Sequence, residues 1–176
     1  MHPLERAVHS YISAKDNNRP HLIEQAFAND AVLDMVVSSP NIAFPPQTEG
    51  REAIAELLVR RFAQRYENVY TFCIGQPPSA AALTYTCKWM VAMSDKDSHD
   101  VKVGCGQYDW HFNLSTGLAE RLQISIAHME VLPPDRLADV MGWVSGVKHP
   151  WCAAQALAAK GHHIAGIEPV IHYIST

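Results

Sequence analysis

Residues 26–35, AFANDAVLDM, and residues 49–62, EGREAIAELLVRRF, are separated by a proline-containing loop over 38–49. The first stretch contains a β-branched run, Ala31 to Val37, which predicts a strand. The second stretch carries an apolar stripe at helical spacing, which predicts a helix. The residues of that stripe are Ile54, Leu57, Leu58 and Phe62. A strand followed by an amphipathic helix is therefore the starting point for the fold.

Further elements flank this pair on both sides. Upstream, apolar residues recur at helical spacing from Leu4 to Tyr11, and Pro20 opens a second, short helix. Downstream, four segments rich in strand-forming residues are joined by turns. These segments are 69–75, 81–93, 101–113 and 120–132. Short turns indicate an antiparallel, twisted sheet, and the three preceding helices should pack on one of its faces, which makes the fold α+β.

The last part of the chain has a different character. A helix is predicted over 135–144, and a second, alanine-rich helix between Pro150 and Gly161. The apolar tail over 164–174 is predicted to be extended. Because this part has too little mass for its own core, we interpret residues 1–132 as the domain and residues 133–176 as a helical and extended appendage, which covers the domain or a partner subunit.

Composition excludes several classes of protein. The chain has 176 residues, of which 48% are hydrophobic and 18% charged, so disorder is not expected. A net charge of -4 argues against a nucleic-acid partner, and no apolar stretch reaches the roughly 18 residues that a membrane span needs. The N-terminus lacks the pattern of a signal peptide, so we expect a cytoplasmic protein. The four cysteines form no C-x-x-C pair, and neither a metal nor a cofactor is expected.

The order of these elements resembles the SnoaL-like members of the nuclear transport factor two superfamily. The resemblance rests on AFANDAVLDM (26–35), EGREAIAELLVRRF (49–62) and GQYDWHF (106–112), and covers about residues 3–132. It implies a cone, in which a curved antiparallel sheet encloses three helices and a pocket. The same cone hosts ketosteroid isomerase, cyclases, dehydratases, epoxide hydrolases and non-catalytic transport factors, so the function has to be argued from the pocket.

Comparison with the isomerase branch suggests candidate residues. That branch uses an aspartate base on the first strand, with a tyrosine and a protonated aspartic acid as the oxyanion hole. The resemblance places the tyrosine at Tyr11 and the second donor near Tyr108. The base position falls on Met35, while Asp34 lies one residue earlier and faces the other side of the strand unless a bulge intervenes. Asp34 remains a candidate base, with a solvated strand carboxylate as the alternative.

The strand over 101–113 alternates between two faces. Tyr108, Trp110 and Phe112 share one face, and an aromatic triplet of this kind belongs on a buried wall. Gly104 and Gly106 lie on the same face, where a missing side chain leaves room for a ligand.

The strand over 120–132 is ambiguous. The hydrophobic pattern predicts that Leu122, Ile124, Ile126 and His128 face inward. The family resemblance implies that the alternate set, which ends at Met129, faces inward instead. His128 is a candidate base because imidazole titrates near neutral pH, with a satisfied core histidine as the alternative. If the apolar row faced outward, it would form a surface for a partner.

These observations predict an aromatic-lined pocket for a small hydrophobic carbonyl or polycyclic compound. In a cofactor-free acid–base enzyme, His128 or Asp34 would be the base, and Tyr11 and Tyr108 would stabilise the oxyanion. The predicted ligand-binding residues are Met35, Phe62, Tyr85, Trp89, Trp110, Phe112 and Met129. The alternative is a non-catalytic ligand-binding or dimerising domain. Under either interpretation we expect a homodimer formed through the outer face of the sheet.

Overall fold

The computed structural model describes the whole chain from Met1 to Thr176. The N-terminal elements are α1 (Pro3–Asn17), a 3₁₀ helix (Pro20–Gln25), β1 (Phe27–Val37), β2 (Gln47–Glu49), α2 (Arg51–Ala55), a π-helical segment (Glu56–Arg61) and α3 (Phe62–Arg65). The predicted order of helix, helix, strand and helix is therefore present. The strand begins four residues earlier than predicted, because Phe27 already lies in the sheet beside Ala119.

The remaining strands complete a curved, unclosed sheet of seven strands. They are β3 (Tyr66–Ile74), β4 (Thr84–Asp95), β5 (Val101–Asn113), β6 (Leu118–Leu132) and β7 (Trp151–Cys152), in the order β2-β1-β6-β5-β4-β3-β7. Most neighbours are antiparallel, but β1 pairs with β6 and β3 with β7 in parallel. The predicted α+β class and curved sheet are confirmed. The sheet is mixed, because β1 and β7 reach it from outside the run of hairpins.

A bulge in β6 explains why the orientation of that strand is ambiguous in the sequence. Gly106 of β5 lies opposite Ile126, and the preceding residue, Cys105, lies opposite His128. Ala127 is therefore an extra residue, and the alternation of side chains changes phase there. Before the bulge the apolar row up to Ile126 faces the helices, and after it Met129 does so, while His128 faces outward.

Residues 133–176 pack on the outer face of the same sheet. Their helices are a 3₁₀ turn (Pro134–Arg136), α4 (Leu137–Val144), α5 (Ala154–Gly161) and α6 (Glu168–Ser175). The prediction of an extended tail over 164–174 is wrong. Val170, Ile171 and Ile174 lie at helical spacing, and folding as α6 buries all three. No helix of the structure is both long and apolar enough to cross a bilayer.

The sheet separates two hydrophobic cores. The inner core lies between α1–α3 and the concave face and contains Leu122, Ile124 and Ile126. The outer core joins residues of β3–β5, such as Phe72 and Val103, to the C-terminal helices. The apolar part of the outer face is thus covered by the chain itself. Of the two orientations that the sequence left open for β6, the apolar row up to Ile126 faces inward. The homodimer expected through the outer face of the sheet stays a prediction.

Candidate functional site

A cavity lies inside the cone, between α1, the π-helical segment and the concave face of the sheet. Its volume is about 40 Å³, which holds about three water molecules. Thirteen of its 15 lining residues are hydrophobic, so its wall is mostly apolar. The predicted site residues that line it are Tyr11, Met35, Phe62, Trp89, Tyr108 and Met129.

Two phenols from different elements meet at this cavity. Tyr11 lies on the buried stripe of α1, and Tyr108 on the concave face of β5, with ring centroids 5.8 Å apart and planes nearly perpendicular. Burial raises the pKa of both hydroxyls far above the ordinary value, and the two groups also interact with each other. Both therefore stay protonated at neutral pH, and the pair offers a hydrogen-bond donor to the cavity.

Lys15 is a lining residue that the sequence analysis missed. It lies four residues after Tyr11 on the same face of α1 and is only 6% exposed. Its ammonium group donates to Thr71 Oγ1 at 2.6 Å and to Asp16 Oδ1 at 3.0 Å, and lies 4.8 Å from the centre of the Phe62 ring. These bonds use two of its three protons. The continuation of the apolar stripe from Tyr11 to Lys15 was the available signal.

Asp16 balances the charge of Lys15. Its carboxylate also accepts bonds from the Thr71 backbone N–H and hydroxyl, both at 2.7 Å, and lies 3.4 Å from His149 Nε2. Burial acts to raise the pKa of Asp16, but the charge of Lys15 and the hydrogen bonds from His149 and Thr71 outweigh it, so the pKa is lowered. Asp16 and Lys15 therefore form a neutral pair behind the cavity wall.

Trp89 contributes an unsatisfied donor. Its indole stacks on Tyr108 at 5.6 Å, it lines the cavity, and its Nε1 is buried without an acceptor. A buried N–H of this kind destabilises the protein by about 1–3 kcal/mol unless something supplies an acceptor. Trp110 has a similar orphaned N–H but lies deeper in the core.

Several predicted site residues lie away from the cavity. Asp34 faces outward on β1, in an ion pair with Arg121 at 2.6 Å. The bulge turns His128 to the outer face, where its ring meets that of Tyr173 at 6.1 Å. Neither residue is placed to act as a base on a molecule inside the cone. This corrects the catalytic roles expected of them.

Three predicted ligand-binding aromatics are also displaced. Tyr85 does not line the cavity, because its hydroxyl donates to the Gln76 carbonyl oxygen at 2.7 Å and accepts from Trp151 Nε1 at 3.1 Å. Trp110 and Phe112 stack in parallel at 5.7 Å within the inner core. They support the cavity floor through Tyr11, whose ring lies 5.5 Å from that of Trp110.

The two glycines of β5 do not leave empty space. A Cβ at Gly104 would lie 2.7 Å from Met129 Sδ, so the Met129 side chain fills that gap. A Cβ at Gly106 would overlap the Ser125 carbonyl oxygen, because the backbone of β6 approaches closely beside its bulge. The expectation that these glycines make room for a ligand is therefore corrected.

The loop over 38–46 closes one side of the cavity, where Ile42 and Phe44 line it. Asn41 holds this loop in place. Its side-chain amide donates to the Met129 carbonyl oxygen at 2.7 Å, and its backbone carbonyl oxygen accepts from Lys102 Nζ at 2.9 Å. Lys102 is 6% exposed and also donates to the Tyr66 hydroxyl at 3.3 Å.

Solved structures resemble this architecture at low sequence identity. An LEH-like epoxide hydrolase from Mycobacterium tuberculosis matches with a TM-score of 0.52 and 14% identity over 70% of this chain and 82% of that chain. An NTF2-like protein from Burkholderia thailandensis matches with a TM-score of 0.55 and 11% identity over 72% and 92%. This chain has the NTF2-like cone fold.

Another protein with this fold, described as ketosteroid isomerase-like, comes from Catenulispora acidiphila and was solved in complex with trimethylamine. It matches with a TM-score of 0.52 and 15% identity over 67% of this chain and 82% of that chain. No protein-family model and no curated protein matches the sequence. These likenesses establish the NTF2-like fold, and the chemistry has to come from the side chains.

Within the NTF2-like cone of this protein, the polar groups at the cavity are mainly donors. Tyr11, Tyr108, Lys15 and Trp89 supply O–H and N–H groups, while the lining contains no carboxylate and no imidazole. Such an arrangement can hold a carbonyl oxygen or stabilise an oxyanion. It does not place a side-chain base next to the bound molecule.

Proposed function

We propose that this protein binds a small, largely apolar compound inside the cone and holds it by a carbonyl oxygen. The observation that carries the proposal is the presence of Tyr11, Tyr108 and Lys15 on one mostly apolar cavity. The apolar wall favours the hydrocarbon part of the ligand, and each hydrogen bond to its oxygen adds about 1 kcal/mol. Binding without proton transfer is favoured, because Asp34 and His128 face away from the cavity.

The size of the cavity limits the ligand. Pockets for drug-sized molecules usually measure about 300–1,000 Å³, whereas this cavity measures about 40 Å³. A polycyclic compound is therefore not part of the proposal. Met35, Met93 and Met129 all line the cavity, and flexible thioether side chains can adjust to a ligand a few atoms larger than the free space.

The methionines also provide the test. In protein labelled with ¹³C at the methionine methyl groups, cyclopentanone should shift the signals of Met35, Met93 and Met129. Met90 belongs to the outer core, and its signal is the internal control. Cyclopentane, which lacks the oxygen, is the matched ligand control and should bind more weakly.

The variant Tyr108→Phe separates the hydrogen bond from the apolar contact. Losing one donor should weaken cyclopentanone binding about 2- to 10-fold, while cyclopentane binding stays the same. If cyclopentanone moves no cavity methyl signal, or moves Met90 as much as Met129, the proposed function is wrong.

A further inference from the structure

The polar groups of the cone have an excess of donors and of positive charge. We propose that the molecule held there is a small monocarboxylate anion, such as a short-chain fatty acid. This inference rests on the proposed function, and it names the chemical class of the ligand. Its basis is the combination of unsatisfied donors at the cavity with a buried lysine that has no counter-ion.

The donors come from three elements. Lys15 on α1 has one proton left after its bonds to Asp16 and Thr71. The pair of Tyr11 and Tyr108 offers at least one hydroxyl, and Trp89 on β4 has a buried Nε1 without an acceptor. A ketone oxygen has two lone pairs, whereas a carboxylate has about four acceptor positions on two oxygens. A carboxylate therefore satisfies more of these donors.

The charge balance favours the same class. Asp16 neutralises Lys15, but Lys102 forms none of the ion pairs in the structure. Its buried ammonium group has only neutral partners, Asn41 and Tyr66. Burying a charge without a counter-ion is strongly unfavourable. An anion within the cone would supply the missing charge.

Lys102 is close to the cavity. Lys102 lies on β5 beside the lining residues without being one of them. It pairs with Met93 of β4, which lines the cavity, and the Asn41 that it binds precedes Ile42, another lining residue. The Lys102 ammonium group lies 5.3 Å from the centre of the Tyr66 ring, and the Tyr66 and Phe62 ring centres are 5.0 Å apart. The Lys15 ammonium group contacts the Phe62 ring at 4.8 Å. A chain of contacts through the rings of Tyr66 and Phe62 therefore connects Lys102 to Lys15.

The test compares acids with their uncharged amides. Acetate, butyrate and hexanoate are titrated into methionine-labelled protein at constant ionic strength, beside acetamide, butyramide and hexanamide. A buried charge-assisted contact should make butyrate bind at least about 10-fold more tightly than butyramide. In a cavity this small, affinity should rise from acetate to butyrate and stop rising at hexanoate.

Three variants show which residues cause the preference for the carboxylate over the amide. Lys102→Met should reduce butyrate affinity about 10-fold and butyramide affinity less than about 2-fold. Lys148→Met removes the same charge from an exposed site and should behave like the parent protein. Trp89→Phe should weaken butyrate about 3- to 10-fold. If Lys102→Met does not fold, Lys102→Arg keeps the charge and should keep the preference for the acid.

The outcomes separate this inference from the proposed function. If butyramide and cyclopentanone bind as tightly as butyrate, the carboxylate inference is wrong and the proposed function stands. If none of these compounds moves a cavity methyl signal, both are wrong. If Lys102→Met and Lys148→Met weaken butyrate equally, the assignment of the charge to Lys102 fails.

Discussion

Gly104 and Gly106 are adjacent inward positions on β5, yet the same substitution at each should have a different effect. At Gly104, an alanine Cβ would meet the end of the Met129 side chain, with Sδ at 2.7 Å. At Gly106, it would overlap the Ser125 carbonyl oxygen and lie 2.8 Å from the carbonyl carbon. The first neighbour is a flexible thioether, and the second is backbone in a paired strand.

The expected magnitudes follow from what can move. Overpacking a core destabilises a protein by about 1–3 kcal/mol, and replacing glycine in a strand recovers about 0.5–1 kcal/mol. Since Met129 can rotate, Gly104→Ala should destabilise the protein by about 1 kcal/mol. Gly106→Ala has to displace β6 at its bulge and should destabilise it by about 3 kcal/mol or more. For a chain of this length, these values correspond to Tm decreases of about 2–4 °C and about 6–12 °C.

Urea unfolding followed by far-ultraviolet circular dichroism measures both values. Gly142→Ala is the matched control, since this glycine lies in α4 with no atom near an added Cβ, and alanine should stabilise the helix by up to about 1 kcal/mol. Gly104→Ala should also weaken cyclopentanone binding, because the displaced Met129 occupies part of the cavity. Equal losses at Gly104 and Gly106, or a larger loss at Gly104, would refute this account of the two glycines.

Two further predictions concern acid stability and the outer core. The Asp95 carboxylate accepts hydrogen bonds from the backbone N–H groups of Ser98 and Asp97 and forms an ion pair with Arg65. These contacts lower the pKa of Asp95 to about 2. A carboxyl group with a lowered pKa in the folded state stabilises the fold at pH values above its pKa in the unfolded chain, and this stabilisation is lost as the pH falls toward the folded-state pKa. Asp95→Asn should therefore reduce the loss of stability between about pH 5 and pH 2, measured by urea titrations. An unchanged dependence of stability on pH would contradict this. Trp143→Ala should remove about 3–5 kcal/mol of stability and expose the outer face to a hydrophobic dye, and a variant that binds no more dye than the parent would count against self-coverage of that face.

Much of the fold could be predicted because periodicity depends on local sequence. The strand over 101–113 has the same bounds in the structure, since strict alternation and polar turns at both ends mark it. The short strands β2 and β7 were not predictable in this way. Gln47–Glu49 and Trp151–Cys152 form strands through their pairing with β1 and β3, and a run of two or three residues has no periodicity to read.

The candidate site was only partly predictable, for a related reason. The family resemblance implied Tyr11 and Tyr108 as site residues, and both lie on stripes whose spacing is typical of an inward face. The outward position of His128 was not predictable, because Ala127 is an extra residue that no alternation rule reveals. Each prediction for β6 was correct for part of the strand. The hydrophobic pattern gave the inward face up to Ile126, and the family resemblance gave it at Met129. Lys15 was missed because a charged residue is rarely assigned to a buried position.

The two sides of the sheet differ in how completely they satisfy their polar groups. In the outer core, Trp143 Nε1 donates to the Leu157 carbonyl oxygen at 2.9 Å, so the buried indole there has an acceptor. In the inner core, Trp89 and Trp110 both lack one, although the two faces belong to the same strands. Each missing bond destabilises the protein by about 1–3 kcal/mol. The outer face is thus packed as a structural core, and the inner face carries unmet donors that a bound acceptor at the cavity would satisfy in part.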